Sequence, residues 1–182
     1  TGTTDSTTAF QNMINDIWLA KTIGNPIYDN TYYQVTAGFI PSGTYLISQT
    51  LYWPGQGLGY IGNHTFSLYG QDPTTTILKW AGPIYTPMIW FSTGGGTSFS
   101  RLTFDGQNIA GSEGIRCEWS QATPNYSNNG DESRIQDCIF KDLAYGIRRS
   151  IVASVGYFRD ISILRNRFYR CSSYGVYLQD SS

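Results

Sequence analysis

An alternation of apolar strand, polar corner and glycine-led strand recurs three times in the second half of the chain. Each copy ends in Gly followed by a β-branched residue. The copies run from residues 101–104 to Gly114 and Ile115, from 135–140 to Gly146 and Ile147, and from 163–168 to Gly175 and Val176. The three glycines are 32 and 29 residues apart. A repeat of this length predicts a solenoid whose stacked coils bury one continuous core.

Short apolar runs predict further strands before these repeats. They occupy residues 39–48, where Pro41–Ser42–Gly43 forms a tight turn, and residues 51–53, 66–70, 76–80 and 88–91. Residues 39–182 are therefore predicted to form the coils of one all-β domain spanning 1–182. Because the sequence stops within a repeat, with no polar capping segment after it, we expect it to be the N-terminal part of a longer β-helix.

Residues 1–20 carry a helical pattern, which distinguishes them from the rest of the chain. Asp5 or Ser6 can serve as the N-cap. An apolar stripe follows at helical spacing, formed by Ala9, Phe10, Met13, Ile14, Ile17 and Trp18. We expect this helix to cap the open end of the first coil, which would otherwise expose apolar side chains and unpaired strand edges.

Composition and charge narrow the functions open to the chain. Its net charge is −1, so no basic surface indicates nucleic acid or a membrane as a partner, and no apolar run is long enough to span a bilayer. Aromatic residues reach 15%, with 14 Tyr and 5 Trp. Such residues either fill the core or line a groove for sugars, whose apolar ring faces stack on aromatic rings. Composition alone leaves both roles open.

Three cysteines allow two interpretations. Cys117 and Cys138 could form a disulfide that leaves Cys171 free, or all three could be buried as small apolar residues. No Cys or His spacing indicates a metal site, since His64 is the single histidine.

The glycine-led strands predict a candidate binding face. Side chains alternate along a strand, so inward Ile115, Ile147 and Val176 would turn their neighbours outward. The outward set comprises Arg116, Arg148 and Tyr177, followed at the same parity by Glu118 and Gln179, with Glu113, Tyr145 and Tyr174 at the edge. Arginine can hold a uronate or sulfate with two hydrogen bonds, and tyrosine can stack on a sugar. Alternatively, these are ordinary exposed strand residues.

Glu113 and Glu118 are the acidic residues near this face that could take part in catalysis. Glycoside hydrolysis requires two carboxyl groups about 5 to 9.5 Å apart. Two residues five positions apart on an extended strand are separated by roughly 16 Å. Each glutamate would therefore need a partner from a neighbouring coil, and Tyr145 is the group expected opposite Glu113.

Asp and Asn residues recur at the predicted corners between strands. Asp105, Asp137, Asp142 and Asn166 occupy such positions. These side chains bond readily to nearby backbone in turns, so we interpret them as structural groups that hydrogen-bond along the stack.

Four segments resemble the pectate lyase superfamily. Residues 2–11, GTTDSTTAFQ, are similar to its opening "GDG.TDDT.AFQ.AI", and residues 39–47, FIPSGTYLI, to its "v.iPaGtY.is" segment. Residues 67–78 and 99–106 resemble its later glycine-containing strands. The resemblance implies a single-stranded right-handed parallel β-helix. That superfamily includes polygalacturonases, rhamnogalacturonases, exo-β-1,3-glucanases, polysaccharide lyases, epimerases and phage tailspikes.

The resemblance implies a polysaccharide partner and a secreted or virion-surface location. The favoured hypothesis is a glycoside hydrolase or polysaccharide lyase. The alternatives are a non-catalytic glycan-binding tailspike or adhesin, which would be a homotrimer if a tailspike, and a structural β-helix fragment. Neither the three catalytic Asp residues of polygalacturonases nor the clustered Asp and Arg of calcium-dependent lyases is found. No cofactor is therefore predicted, and calcium is the one that the resemblance would allow.

Overall fold

A computed structural model describes residues 2–22, 36–53, 66–91, 97–118, 133–150 and 161–178. One helix is followed by short strands. They are α1 (Thr7–Thr22), β1 (Thr36–Ile40), β2 (Gly43–Ile47), β3 (Leu51–Trp53), β4 (Phe66–Gly70), β5 (Thr76–Trp80), β6 (Pro87–Phe91), β7 (Ser98–Ser100), β8 (Thr103–Asp105), β9 (Glu113–Glu118), β10 (Arg134–Gln136), β11 (Ile139–Lys141), β12 (Tyr145–Ser150), β13 (Ser162–Leu164), β14 (Arg167–Tyr169) and β15 (Tyr174–Leu178).

Consecutive strands belong in turn to the first, the second and the third of three parallel sheets. The first sheet has the order β1-β4-β7-β10-β13, the second β2-β5-β8-β11-β14 and the third β3-β6-β9-β12-β15. Neighbouring strands pair in parallel, with β12 between β9 and β15 in the third sheet. Each coil therefore contributes one strand to every sheet, which confirms the prediction of an all-β parallel β-helix preceded by a helix.

The core is built from columns of equivalent side chains in successive coils. Phe104, Phe140 and Phe168 stack with ring centroids 4.9 and 5.2 Å apart and planes within 10°. Ile115 and Ile147 are fully buried, and Val176, in register with Ile147, packs against the same core from the last described coil. The predicted inward orientation of these three residues is therefore confirmed. Near-parallel rings at this spacing follow directly from parallel strands in register about 4.8 Å apart.

The helix begins later than the sequence predicted. Residues 2–6 are not helical, because Asp5 bridges in parallel to Leu46 and the Ser6 amide donates to the Leu46 carbonyl at 2.8 Å. The Ser6 carbonyl accepts the first helical bond, from Phe10, while the Asp5 carboxylate accepts the Thr7 amide at 2.9 Å. Both candidate caps thus contribute, one through its backbone and the other through its side chain.

The apolar stripe of α1 packs on the first coil. Phe10, Ile14 and Ile17 are buried, and the helix lies against β1 and β3. Ala9, predicted in the stripe, is exposed, and the Trp18 side chain lies outside the described residues.

The predicted corner residues hold the stack together. Asn166 accepts the Cys138 amide at 2.9 Å and donates to the Ile135 carbonyl at 2.8 Å, so its side chain joins two coils. Asp137 and Asp142 adopt left-handed backbone, with φ of 54° and 55°, which Asp tolerates better than most residues. Asp105 accepts the amide of Gln107, two residues on, at 3.1 Å. The structural interpretation of these corners is confirmed.

All three cysteines are free thiols, so the Cys117–Cys138 disulfide does not form. Cys117 and Cys138 are buried, and burial raises the pKa of each thiol to about 12. Cys171, in the last coil, is only half-buried. Within the described ranges, no helix is both long and apolar enough to cross a bilayer.

Candidate functional site

The third sheet aligns the predicted site residues in two rows across the coils. We call Pro87, Glu113, Tyr145 and Tyr174 the edge row, and Tyr52, Trp90, Arg116, Arg148 and Tyr177 the central row. Sequence alternation identified six of these residues. Pro87, Tyr52 and Trp90 were missed because their strands precede the recognisable repeats. The rings of Tyr52 and Trp90 meet edge-to-face at 5.1 Å.

Glu113 joins the two rows through a shared ion pair. One carboxylate oxygen accepts Nη2 of Arg116 and Nη1 of Arg148, each at 2.7 Å. The other oxygen accepts Nε of Arg116 at 2.8 Å. The Glu113 side chain is 1% exposed, whereas the two arginines are 22% and 31% exposed. One buried anion therefore fixes two partly exposed cations.

This arrangement limits what Glu113 can do chemically. A general acid must carry a proton and a nucleophile must reach the sugar, but both oxygens of Glu113 already accept hydrogen bonds from guanidinium groups. Glu118 lies opposite Ser150 at the end of β9, and its side chain is outside the described residues, as is Gln179. Among the described side chains of the third sheet, no second carboxylate faces Glu113.

Three tyrosines form a cluster beside the arginines. Tyr145 lies 6.1 Å from Tyr174 and 6.0 Å from Tyr177, and the last two rings are 5.2 Å apart. The Arg148 guanidinium lies over the Tyr145 ring at 4.9 Å. This geometry holds Arg148 between a carboxylate and a ring face, which orients its planar donors.

A cavity of about 350 Å³ opens next to this cluster. Its lining residues are Tyr85, Ala110, Gly111, Glu113, Ala144, Tyr145, Arg148, Ser172 and Ser173. It therefore combines aromatic walls, hydroxyl groups, the Arg148 guanidinium and the Glu113 carboxylate that is paired with it, which is the mixture that a polar ligand with apolar faces requires.

Tyr85 forms a wall of the cavity that sequence reasoning did not identify. It is 68% exposed and has a φ of 58°. Its amide donates to the Ala110 carbonyl at 3.0 Å, and its ring lies where a Cβ on Gly111 would be. The only local signal is a tyrosine in a turn after Pro83. Its position against Gly111 depends on how adjacent coils stack.

The described residues contain no group of three or more His, Cys, Asp or Glu side chains placed to hold a metal ion. The site as described is thus organised by the ion pair and the aromatic contacts.

No family model matches the chain, and no curated protein matches it. Among solved structures, ORF18 of Geobacillus virus E2 is similar, with a TM-score of 0.53 and 20% sequence identity. The match covers 80% of this chain and 25% of that protein, so the chain spans a quarter of its length. The likeness supports the β-helix fold. Membership of the pectate lyase superfamily stays a prediction.

Proposed function

We propose that this chain is the glycan-binding part of a tailspike-like phage protein, and that the third sheet binds an acidic polysaccharide. The observation that carries the proposal is the arginine pair fixed by Glu113 beside the tyrosine cluster and the cavity. A virion-surface location is part of the proposal.

Charge and shape favour an acidic sugar over a neutral one. Arg148 is 31% exposed although it is paired with the buried carboxylate of Glu113, so its guanidinium is accessible to an anionic ligand. Arg148 lines the cavity together with Tyr145, which offers a stacking face next to the guanidinium. A uronate carries a carboxylate, which can pair with the guanidinium, and an apolar ring face, which can stack on Tyr145.

Two observations support binding rather than hydrolysis. The carboxylate of Glu113 is engaged by both arginines, and the described part of the third sheet offers it no carboxylate partner. The structural neighbour is a virus protein, which fits a proposed role at the virion surface, where binding of a surface polymer needs no cleavage. The enzyme hypothesis therefore becomes an outcome of the test.

The test compares Arg148→Gln with Arg116→Gln. Both variants remove one ion pair from Glu113, but only Arg148 lines the cavity. We measure binding of uronic-acid oligosaccharides and of neutral oligosaccharides of the same length by titration calorimetry. Wild type should bind the acidic series more tightly. Arg148→Gln should weaken that binding about tenfold or more, as expected for loss of a charged hydrogen bond of about 1.5–3 kcal/mol, and Arg116→Gln much less.

Equal affinity for acidic and neutral sugars, or equal losses in the two variants, contradicts the proposal. Release of unsaturated products or reducing ends by the wild type, abolished by Glu113→Gln in a protein that still unfolds cooperatively, restores the enzyme hypothesis instead.

A further inference from the structure

Tyr85 has a backbone conformation that is costly for its residue type. It lies in the turn between β5 and β6, and its φ of 58° is in the left-handed region that bulky side chains rarely occupy. Tyr85 stands two residues before Pro87, which is in register with Glu113. Two residues before Glu113, the next coil has Gly111, with a φ of 66°. The neighbouring coil thus uses glycine, which has no Cβ, at the equivalent left-handed position.

The fold alone does not explain why a tyrosine occupies this position. Tyr85 is 68% exposed, so its ring adds little to the core. Glycine or asparagine would take the same backbone conformation at a lower cost. Strained residues persist only where the surrounding structure holds them, and they are concentrated at functional sites such as ligand clamps.

Three contacts hold the Tyr85 turn. Its amide donates to the Ala110 carbonyl at 3.0 Å, and its ring lies against Gly111, where any Cβ would collide with it. Nη2 of Arg116 also donates to the Tyr85 carbonyl, but at 3.4 Å this hydrogen bond is long and weak. The first two contacts therefore fix the ring as a wall of the cavity that Arg148 also lines.

The two aromatic walls of the cavity differ in what already covers them. The Arg148 guanidinium lies over the Tyr145 ring at 4.9 Å, and the Tyr174 ring is 6.1 Å from it. Among the residues that the structure describes, no cation and no aromatic ring stacks on Tyr85. The Tyr85 ring is therefore the more accessible stacking surface of the cavity.

From these observations we infer that Tyr85 is a specificity-determining residue of the site, and that its ring stacks on the apolar face of a bound sugar while Arg148 pairs with the acidic group. The inference rests on the proposed glycan binding. It divides recognition into two parts, because stacking is available to acidic and neutral sugars alike, whereas pairing with a guanidinium requires an anion.

Asparagine at position 85 separates the ring from the backbone. Tyr85→Asn removes the ring but tolerates the left-handed conformation, and Tyr85→Phe keeps the ring but removes the hydroxyl group. Ile84→Ala is the matched control, because Ile84 is a neighbouring apolar residue, 58% exposed, that does not line the cavity. Titration calorimetry measures binding of uronic-acid and neutral oligosaccharides of the same length, and circular dichroism measures Tm.

Tyr85→Asn should weaken binding of both series by the same factor, about three- to tenfold, and so keep the preference of the wild type for the acidic series. Its Tm should not fall, because the lost ring is exposed and asparagine is less strained at this φ. Tyr85→Phe should bind within about twofold of the wild type, and Ile84→Ala should bind like the wild type. Arg148→Gln, in contrast, should reduce the preference for the acidic series.

Wild-type affinity in Tyr85→Asn, with the acidic preference intact, overturns this inference and leaves the proposed function standing. A loss confined to the acidic series also overturns it, since the ring would then act through Arg148. So does a fall in Tm of more than about 2 °C, which would give the ring a structural role. Binding of both series by the wild type without an acidic preference contradicts the proposed function alone, and binding of neither series contradicts both.

Discussion

At the residue scale, Asp142 serves two purposes that are usually separate. Its backbone takes the left-handed turn between the second and third sheets, with a φ of 55°. Its side chain accepts two hydrogen bonds from Arg170 of the next coil. Asparagine tolerates the same backbone conformation, so Asp142→Asn removes the charge while keeping the turn.

Acidification should remove the contribution of Asp142 to stability. Hydrogen bonds from Arg170 lower the pKa of Asp142 below its ordinary value, and Arg165 does the same for Asp137. A carboxyl group whose pKa is lower in the folded protein stabilises it fully above the unfolded-state pKa of about 4 and loses that effect as pH falls through the folded-state pKa. The Tm difference between wild type and Asp142→Asn should therefore be constant near neutral pH and shrink below about pH 4.

Thermal unfolding followed by circular dichroism from pH 7 to 2.5 checks this expectation. Arg170→Gln is the control, because it removes the same ion pair but keeps the carboxylate. A Tm difference between wild type and Asp142→Asn that persists unchanged at pH 2.5 would show that the charge of Asp142 does not stabilise the stack.

The sequence predicted which residues share one face of the third sheet but not how they interact. Strand alternation and the repeat placed Arg116, Arg148 and Tyr177 in one row, because both depend only on local periodicity. The shared ion pair of Glu113 could not be predicted, since Arg148 lies 35 positions away and reaches Glu113 only through the register of β9 and β12. Tyr85 was missed for the same reason.

At the element scale, the glycine-led strands owe their glycines to lack of space. Neither Gly114 nor Gly146 has a positive φ. A Cβ on Gly146 would lie 2.5 Å from the Gly175 carbonyl oxygen and 2.7 Å from Phe168 Cδ1. A Cβ on Gly114 would meet Gly146 and Phe140 in the same way. Glycine at these positions therefore leaves room for both the column of phenylalanine rings and the backbone of the next coil.

Replacement of these glycines by alanine should destabilise the protein most where the added Cβ would meet the backbone of the next coil. Gly146→Ala forces backbone and ring to move, so we expect a loss of about 2–3 kcal/mol or more. Gly175→Ala is the matched control, because its Cβ would meet only the Phe168 side chain, at 3.0 Å or beyond. Its loss should be about 1 kcal/mol or less. Urea unfolding measures both, and equal losses would show that the carbonyl contact is unimportant.

The sequence predicted interior strands better than element ends. Residues 66–70 and 76–80 coincide with β4 and β5, because apolar runs bounded by a proline turn fix both limits. The predicted helical range began at residue 1, six residues before α1, although the proposed cap Ser6 lies directly before Thr7. Residues 2–6 are kept out of the helix by the pairing of Asp5 with Leu46, which is a contact between distant parts of the chain. Local patterns carry no information about such a contact.

At the scale of the whole molecule, the two ends of the described stack differ in whether their apolar side chains are covered. The first coil is covered by α1, while the last described coil exposes several apolar side chains. In a solenoid each coil contacts mainly its neighbours, so stability is close to a sum of local terms and one end can open without the other.

Disrupting the helix should therefore open the first coil and leave the middle of the stack intact. Ile14 is 1% exposed, so Ile14→Asp places an unpartnered carboxylate against the core and should detach α1. Hydrogen exchange should then rise in β1–β3 while β11 and β12 keep their protection. Asn12→Asp is the matched control, because it adds the same charge on the exposed face of the helix. Uniform loss of protection along the chain would instead show that the coils unfold as one cooperative unit.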